Sequence, residues 1–112
     1  MIATLWSHDN CLKNTNLWRK LFIEICKKKN INFEGGFYIP QNHIQLDYYK
    51  EYSIGTKYSI NEYIKKTKES IIVFNTPSVH NCHGWKLGEY LAMGKAIIST
   101  PISNQLPEEL VH

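Results

Sequence analysis

The sequence predicts an α/β domain built on a doubly wound parallel sheet. Short apolar segments alternate with segments of helical periodicity, in the order β-α-β-loop-β-α-β-α-β. The segments Ile71–Phe74 and Ala96–Ile98 are continuous apolar runs, which is typical of strands covered on both faces in parallel sheets. Because parallel neighbours need crossover connections, helices are expected to cover the sheet. Ligands of such sheets bind at the carboxyl ends of the strands.

The N-terminal part of the chain is predicted to form a strand, a loop and a long helix. Ile2–Trp6 is a short apolar run that ends in the turn-rich tetrapeptide Ser7–Asn10. Thr15 or Asn16 can cap the helix that follows, and Asn30 can end it in the left-handed conformation. One stripe of this helix is expected to face the core, and it consists of Leu17, Trp18, Leu21, Phe22, Ile25 and Cys26.

The middle of the chain carries weaker signals. A strand is expected around Phe33, broken by Gly35 and Gly36. The polar, tyrosine-rich stretch Pro40–Ser53 has no clean periodicity and is predicted as a loop with room for one short helix. Thr56–Tyr58 is predicted to be a brief strand.

Two further helices have clearer limits. Ser59 and Glu62 have the spacing of a capping box, which predicts a helix running to about Lys68. The segment Trp85–Met93 is predicted to be helical, with Gly94 as its left-handed stop before the last strand.

The composition excludes several classes of protein. Of the 112 residues, 43% are hydrophobic and 21% are charged, and the formal net charge is +3, as expected of a globular domain. Twelve of the 13 basic residues are lysines, whereas base-reading DNA interfaces rely on arginine, so a nucleic-acid partner is not expected. The scattered residues Cys11, Cys26 and Cys82 indicate free thiols in a reducing compartment. No signal peptide and no transmembrane segment is predicted, because no apolar run approaches the ~20 residues of a span.

The stretch His83–Ile98 holds the strongest functional signal. Gly84 lies where a loop enters a helix, and free backbone N–H groups at such a start bind anions. Lys86 would add a positive charge in the first turn. Glu89 lies among apolar residues, so its carboxylate must face either solvent or a ligand, and carboxylates commonly hold ribose hydroxyls. A glycine that only permits a tight turn explains Gly84 equally well.

Two other chemistries are open in the same loop. His80, Cys82 and His83 include metal-ligand types, but the adjacent Cys82 and His83 cannot easily face one ion, and no second ligand pair has suitable spacing. A metal is therefore not predicted. A nucleophilic Cys82 near a helix start is the second alternative, and an exposed polar loop is the third.

The residues of this region resemble a known family. Glu89–Ile98, EYLAMGKAII, is similar to the E-A-M-A-x-G-K-P-V-I segment of retaining GT-B glycosyltransferases with an E-x7-E motif. Phe74–Pro107 resembles a bacterial subgroup that builds surface polysaccharides. Ser59–Pro77 resembles the helix and strand that precede the motif, and Phe33–Gly36 resembles the second strand of the domain.

The resemblance assigns roles to five residues of one loop and helix. Glu89 corresponds to the second Glu of the motif, which hydrogen-bonds the ribose of the nucleotide-sugar donor. Gly84 corresponds to the glycine whose neighbouring N–H groups meet the diphosphate, and it is flanked by His83 and Trp85. The first Glu of the motif, which contacts the donor sugar, is replaced by Asn81.

The resemblance also implies where the charges and the base of the donor would lie. The Arg and Lys that follow the first strand in the family have no clear counterpart, and Lys13, Arg19 and Lys86 are candidates to neutralise the diphosphate. The nucleotide base is expected near Lys57 and Tyr58. No residue is assigned to catalysis, and the family uses no metal and no cofactor besides the donor.

The resemblance implies that residues 1–112 are a Rossmann-like, nucleotide-sugar-binding domain, the C-terminal half of a glycosyltransferase of hexosyltransferase type, incomplete at its C-terminus. A glycan or lipid-linked acceptor would bind through a missing N-terminal domain. The expected location is the cytoplasm, including a peripheral position at the inner membrane face. The rival interpretations are a non-catalytic phosphate- or nucleotide-binding module, for which a flavodoxin-like receiver would need more acidic residues than Asp9 after the first strand, and an inactive fragment.

Overall fold

The computed structural model describes residues 2–4, 10–78, 82–102 and 104–106, and these residues form an α/β structure. The four strands are β1 (Ile2–Thr4), β2 (Gly36–Tyr38), β3 (Ile72–Asn75) and β4 (Ala96–Ser99). The four α-helices are α1 (Asn10–Lys28), α2 (Leu46–Tyr49), α3 (Ile60–Glu69) and α4 (Trp85–Ala92). A 3₁₀ turn, Lys50–Tyr52, follows α2 directly.

The strands form two parallel pairs. β1 pairs with β2, and Ala3 lies opposite Phe37. β3 pairs with β4, and Val73 lies opposite Ile97. Within each pair the connection runs through a helix, α1 in the first pair and α4 in the second. The predicted alternation of helices with parallel strands is therefore confirmed, in the form of two small sheets among the described residues.

The long helix α1 starts earlier than the capping residues predicted. It begins at Asn10, so Thr15 and Asn16 lie inside the helix and are buried there, and the cap prediction was wrong. Its end agrees with the sequence, because Asn30 has a φ of 53° in the left-handed region.

The buried face of α1 is largely not the apolar stripe. Four residues of that stripe are between 40% and 48% exposed, namely Leu17, Trp18, Leu21 and Ile25. Among the described side chains of α1, the buried residues are Thr15, Asn16, Arg19 and Ile23, together with Cys26 from the predicted stripe. The rotation of the helix is set by contacts on this other side, where Ile23 joins the core around Phe37 and the Arg19 Nε donates a hydrogen bond to the Thr76 Oγ1 at 2.9 Å. Periodicity located the helix but not its orientation.

The segment after β2 supplies most of the first core. Ile23, Phe37, Ile39, Tyr49 and Tyr52 form one buried cluster, and Phe37 is 0% exposed. The short helix expected within residues 40–53 is confirmed as α2, and together with the 3₁₀ turn it turns two tyrosines inward. The Tyr52 hydroxyl donates to the Glu24 Oε1 at 2.6 Å, so the turn is also tied to α1.

Two strand predictions in the middle of the chain were wrong. The strand expected around Phe33 begins only at Gly36. Thr56–Tyr58 is not a strand, and a single parallel bridge between Ser53 and Phe37 lies near it instead. At the start of β2 two backbones approach each other closely, since a Cβ on Gly36 would lie 2.3 Å from the Tyr52 carbonyl oxygen. Only glycine permits this approach.

The capping box of α3 is formed as predicted. The Ser59 Oγ accepts from the Glu62 N–H at 3.3 Å, and the Ser59 N–H donates to the Glu62 Oε2 at 2.8 Å. We expect Ser59→Ala to lower the free energy of unfolding by about 1 kcal/mol, because one orphan N–H loses its acceptor. Urea unfolding measures this change. Ser59→Thr keeps the hydroxyl, which both accepts from the Glu62 N–H and donates to the Glu62 carboxylate, and serves as the control. An equal loss in both variants would contradict the role of the cap.

Candidate functional site

A cavity of about 410 Å³ lies between α3, α4 and the segments that follow β2. Its lining combines two lysines and one carboxylate with four aromatic rings. The lining residues are Tyr38, Ile54, Lys57, Tyr58, Ser59, Ile60, Tyr63, Trp85, Lys86 and Glu89. The cavity therefore offers both charged and flat apolar surfaces to one ligand.

Helix α4 brings three of the predicted site residues to this cavity. Trp85, Lys86 and Glu89 lie within one turn of each other and line it together. Leu87 and Tyr90 are buried, because α4 packs on the sheet through its other side. The sequence alternation of charged and apolar residues thus divides the helix into a cavity face and a core face.

The other three predicted residues have different positions. Gly84 is the N-cap of α4, with extended backbone and no side chain to satisfy the first N–H groups, but it does not belong to the cavity lining. His83 is exposed, and its Nε2 lies 3.5 Å from the carbonyl oxygen of Gln105, so the structure does not bring it to the cavity. Asn81 lies outside the described residues.

The position of Glu89 in an otherwise apolar segment is explained by its partner. The hydroxyl of Tyr63 on α3 donates a hydrogen bond to the Glu89 Oε2 at 3.0 Å. Burial raises the pKa of the Tyr63 phenol, as do Tyr90 and the Glu89 carboxylate. A carboxylate has about four acceptor positions, and this bond uses one of them. Glu89 can therefore accept further hydrogen bonds from hydroxyls in the cavity.

The positive groups of Arg19 and Lys86 are close enough to affect each other electrostatically. Burial lowers the pKa of Lys86 to about 7, the nearby charge of Arg19 lowers it as well, and Glu89 raises it. Burial also lowers the pKa of Arg19 to about 10. The bond from Arg19 to Thr76, directly after β3, fixes the guanidinium there. Two positive groups withdrawn from water near one cavity raise the local positive potential, which suits an anionic ligand.

The rest of the cavity is aromatic. Trp85 is 91% exposed, which is unusual for so large an apolar side chain on a helix. Tyr38, Tyr58 and Lys57 line the same cavity, and the ammonium group of Lys66 lies 5.2 Å from the centroid of the Tyr58 ring. Exposed rings beside a lysine can hold a planar group by stacking and hydrogen bonding.

Sequence reasoning missed Tyr63 and Tyr38. Tyr63 lies four residues after the capping serine, so the capping box placed it on the first full turn of α3. That α3 would pack against α4, however, is a tertiary contact between residues 26 positions apart, and no local pattern carries it. The only available signal was indirect, in that a carboxylate within an apolar helix requires a donor.

A second cavity, of about 470 Å³, lies against the face of β3 and β4 that carries Ile72, Phe74 and Ile98. It is lined largely by apolar side chains, among them Phe22, Phe74 and Ile98. Phe22 stacks on Phe74 at 4.1 Å between ring centroids, while Ile72 and Ile98 remain about half exposed. The sequence predicted coverage on both faces of these strands, and within the described residues α1 only partly covers this one.

Other kinds of site are not indicated by the part of the chain that the structure describes. It contains no group of three metal-ligating side chains close enough to share an ion. None of its helices combines the length and apolar character needed to cross a membrane.

No family model, curated protein or solved structure matches this chain significantly. The functional argument therefore depends on the geometry of the site and on the sequence pattern that predicted it.

Proposed function

We propose that this chain binds a nucleotide-diphosphate sugar and acts as the donor-binding part of a glycosyltransferase. The observation that carries the proposal is the convergence of two separate predictions. Lys86 and Glu89 were assigned to the phosphates and the ribose, and Lys57 and Tyr58 to the base. All four line the same cavity.

The charges support a consistent placement of the donor. Glu89 would accept from ribose hydroxyls while Lys86 would face the diphosphate, and the buried charge of Arg19 would add to the positive potential around Lys86. The rings of Tyr58 and Trp85 would flank the base. In glycosyl transfer the departing nucleoside diphosphate gains negative charge, and two desolvated cations stabilise that charge without a metal ion.

The proposal extends to the fold. We propose that the two strand pairs belong to one Rossmann-like, doubly wound sheet in which β1 lies beside β3. The bridge from Ser53 to Phe37 would then mark the outer edge beyond β2. All strands would be parallel, but the order in which the chain adds them would reverse between β1 and β3. Ligands of open α/β sheets bind at such a reversal of strand order.

Transfer would need a second half of the enzyme. We propose that a glycan or lipid-linked acceptor is held by another domain, because catalysis requires both reactants in line. Surface-polysaccharide synthesis would place the protein in the cytoplasm or at the inner membrane face. A hexosyl group is proposed as the group that is transferred.

Titration calorimetry with UDP-, GDP- and ADP-sugars tests the proposal. We expect one of them to bind, and Glu89→Ala to weaken it about 10-fold or more, since hydrogen bonds to a charged acceptor are lost. Glu69→Ala removes an exposed carboxylate of α3 and is the matched control. If no nucleotide sugar binds, or if both variants bind equally well, the donor site is wrongly assigned.

A non-catalytic phosphate-binding module is the second candidate, and the Arg19–Lys86 charge pair favours it. Such a module, unlike a donor domain, would bind inorganic pyrophosphate as tightly as a nucleotide sugar. Including pyrophosphate in the same titrations separates the two functions.

A further inference from the structure

We propose that Tyr63 is a positioning residue that orients Glu89 toward the ribose and thereby makes the site selective for ribonucleotides over 2′-deoxyribonucleotides. The inference rests on the proposed function and deepens it. It assigns a role to a residue on α3, whereas the sequence placed the donor contacts in the loop and helix around α4 and near Lys57 and Tyr58.

The geometry places Tyr63 at the centre of the charged part of the cavity. Its hydroxyl donates to the Glu89 Oε2 at 3.0 Å. Its ring lies 5.9 Å from the Lys86 ammonium, measured to the ring centroid. One side chain from α3 therefore contacts both the carboxylate and the cation that α4 presents.

The Tyr63 hydroxyl lies beside a tightly packed neighbour. Tyr90 is 2% exposed, and its phenol is close enough to raise the pKa of the Tyr63 phenol. A phenol has one proton, and Tyr63 donates that proton to the Glu89 carboxylate.

The hydrogen bond from Tyr63 restricts a flexible side chain. A glutamate has three side-chain torsions, and in the absence of a partner it loses rotational entropy when it binds a ligand. Tyr63 holds the Oε2 before the ligand arrives, so the remaining acceptor positions have a defined direction. A ribose with adjacent 2′- and 3′-hydroxyls can donate to both oxygens of a carboxylate held in this way.

A 2′-deoxyribose cannot make the second of these bonds. With Glu89 held in place, the unmatched acceptor remains partly desolvated, and affinity falls. With Glu89 released, the carboxylate can turn toward the single 3′-hydroxyl or toward water. Removal of the Tyr63 hydroxyl should therefore change the ratio of the ribonucleotide and deoxyribonucleotide affinities more than it changes the ribonucleotide affinity alone.

The experiment compares the best-binding nucleoside diphosphate with its 2′-deoxy form, on the wild-type chain and on Tyr63→Phe. We expect the wild-type chain to prefer the ribose form about 10-fold or more, the range of a hydrogen bond to a charged group. Tyr63→Phe should reduce this preference to about threefold or less. Tyr48→Phe removes an exposed hydroxyl that accepts from Lys20 and should keep the wild-type ratio.

The ratio of affinities distinguishes positioning from a structural role. Equal weakening of both nucleotides by Tyr63→Phe, or an unchanged ratio, overturns the inference while the donor site stands. Absence of nucleotide binding to the wild-type chain overturns the proposed function itself. Glu89→Gln supplies a second measurement, because Tyr63→Phe should no longer change the ratio once the carboxylate is gone.

Discussion

Replacing Lys86 with methionine should make the chain more stable at pH 7 and should weaken its binding of diphosphates. The ammonium group is desolvated beside Arg19, and these effects lower its pKa to about 7. Methionine has a similar length and no charge, so the unfavourable burial disappears. We expect a gain of about 1–4 kcal/mol in the free energy of unfolding and a loss of about 10- to 100-fold in pyrophosphate affinity.

The desolvated Lys86 also predicts that the free energy of unfolding rises with pH. The folded chain releases the Lys86 proton at a pKa of about 7, and the unfolded chain releases it at 10.5. Between these values the unfolded state holds one more proton, so stability rises with pH, by up to about 1.4 kcal/mol per unit. The useful window is pH 7 to 9. At higher pH, the raised pKa values of Cys26 and Tyr63 act in the opposite direction.

Pyrophosphate affinity should fall between pH 7 and 9, whereas the free energy of unfolding rises. Only the protonated ammonium attracts a diphosphate, so the dissociation constant for pyrophosphate should rise by up to about 10-fold per pH unit above 7. Urea unfolding and calorimetry between pH 7 and 9 measure both slopes. Lys86→Met should show neither slope, and Lys65→Met, which removes an exposed ammonium of α3, should keep both. A less stable Lys86→Met variant with unchanged pyrophosphate affinity would refute the assignment of Lys86.

The sequence specified local features of the fold because their causes are local. The capping box of Ser59 and Glu62 and the left-handed stops at Asn30 and Gly94 all appear in the structure. Each depends on residues within a few positions of one another. The same holds for α4, whose alternation of charged and apolar residues separates a cavity face from a core face.

Features that depend on distant residues were not predictable in the same way. The exposed stripe of α1 shows this, because Arg19 is held by Thr76, 57 positions away, and turns Leu17 and Trp18 toward solvent. The partner of Glu89 is a further case, since it comes from another helix. A carboxylate in an apolar segment predicted that a partner must exist, but only the packing of α3 on α4 identifies Tyr63.

Gly36 is the position at which a single methyl group should disturb both the fold and the site. A Cβ there would lie 2.3 Å from the carbonyl oxygen of Tyr52 and 3.1 Å from the Ile54 Cγ2, and the backbone φ of +148° is unfavourable for other residues. We expect Gly36→Ala to lower the free energy of unfolding by about 3 kcal/mol, from backbone strain and steric overlap together. Thermal or urea unfolding measures this loss directly.

Gly36→Ala should also disturb the cavity, because the clash would push apart two segments that line it. Gly36 begins β2, and the Phe37 carbonyl accepts from the Ile54 N–H at 2.9 Å, so β2 and the segment after the 3₁₀ turn are held together just below the cavity. Tyr38 and Ile54, one from each segment, line the cavity. Nucleotide affinity should therefore fall in Gly36→Ala even at temperatures where the variant remains folded.

Gly88→Ala is the matched control, because nothing lies within 4 Å of the added Cβ and alanine should stabilise the interior of α4 by about 0.5–1 kcal/mol. If Gly36→Ala proved as stable as Gly88→Ala, the backbone of Tyr52 could not lie against β2, and this wall of the cavity would be wrongly placed.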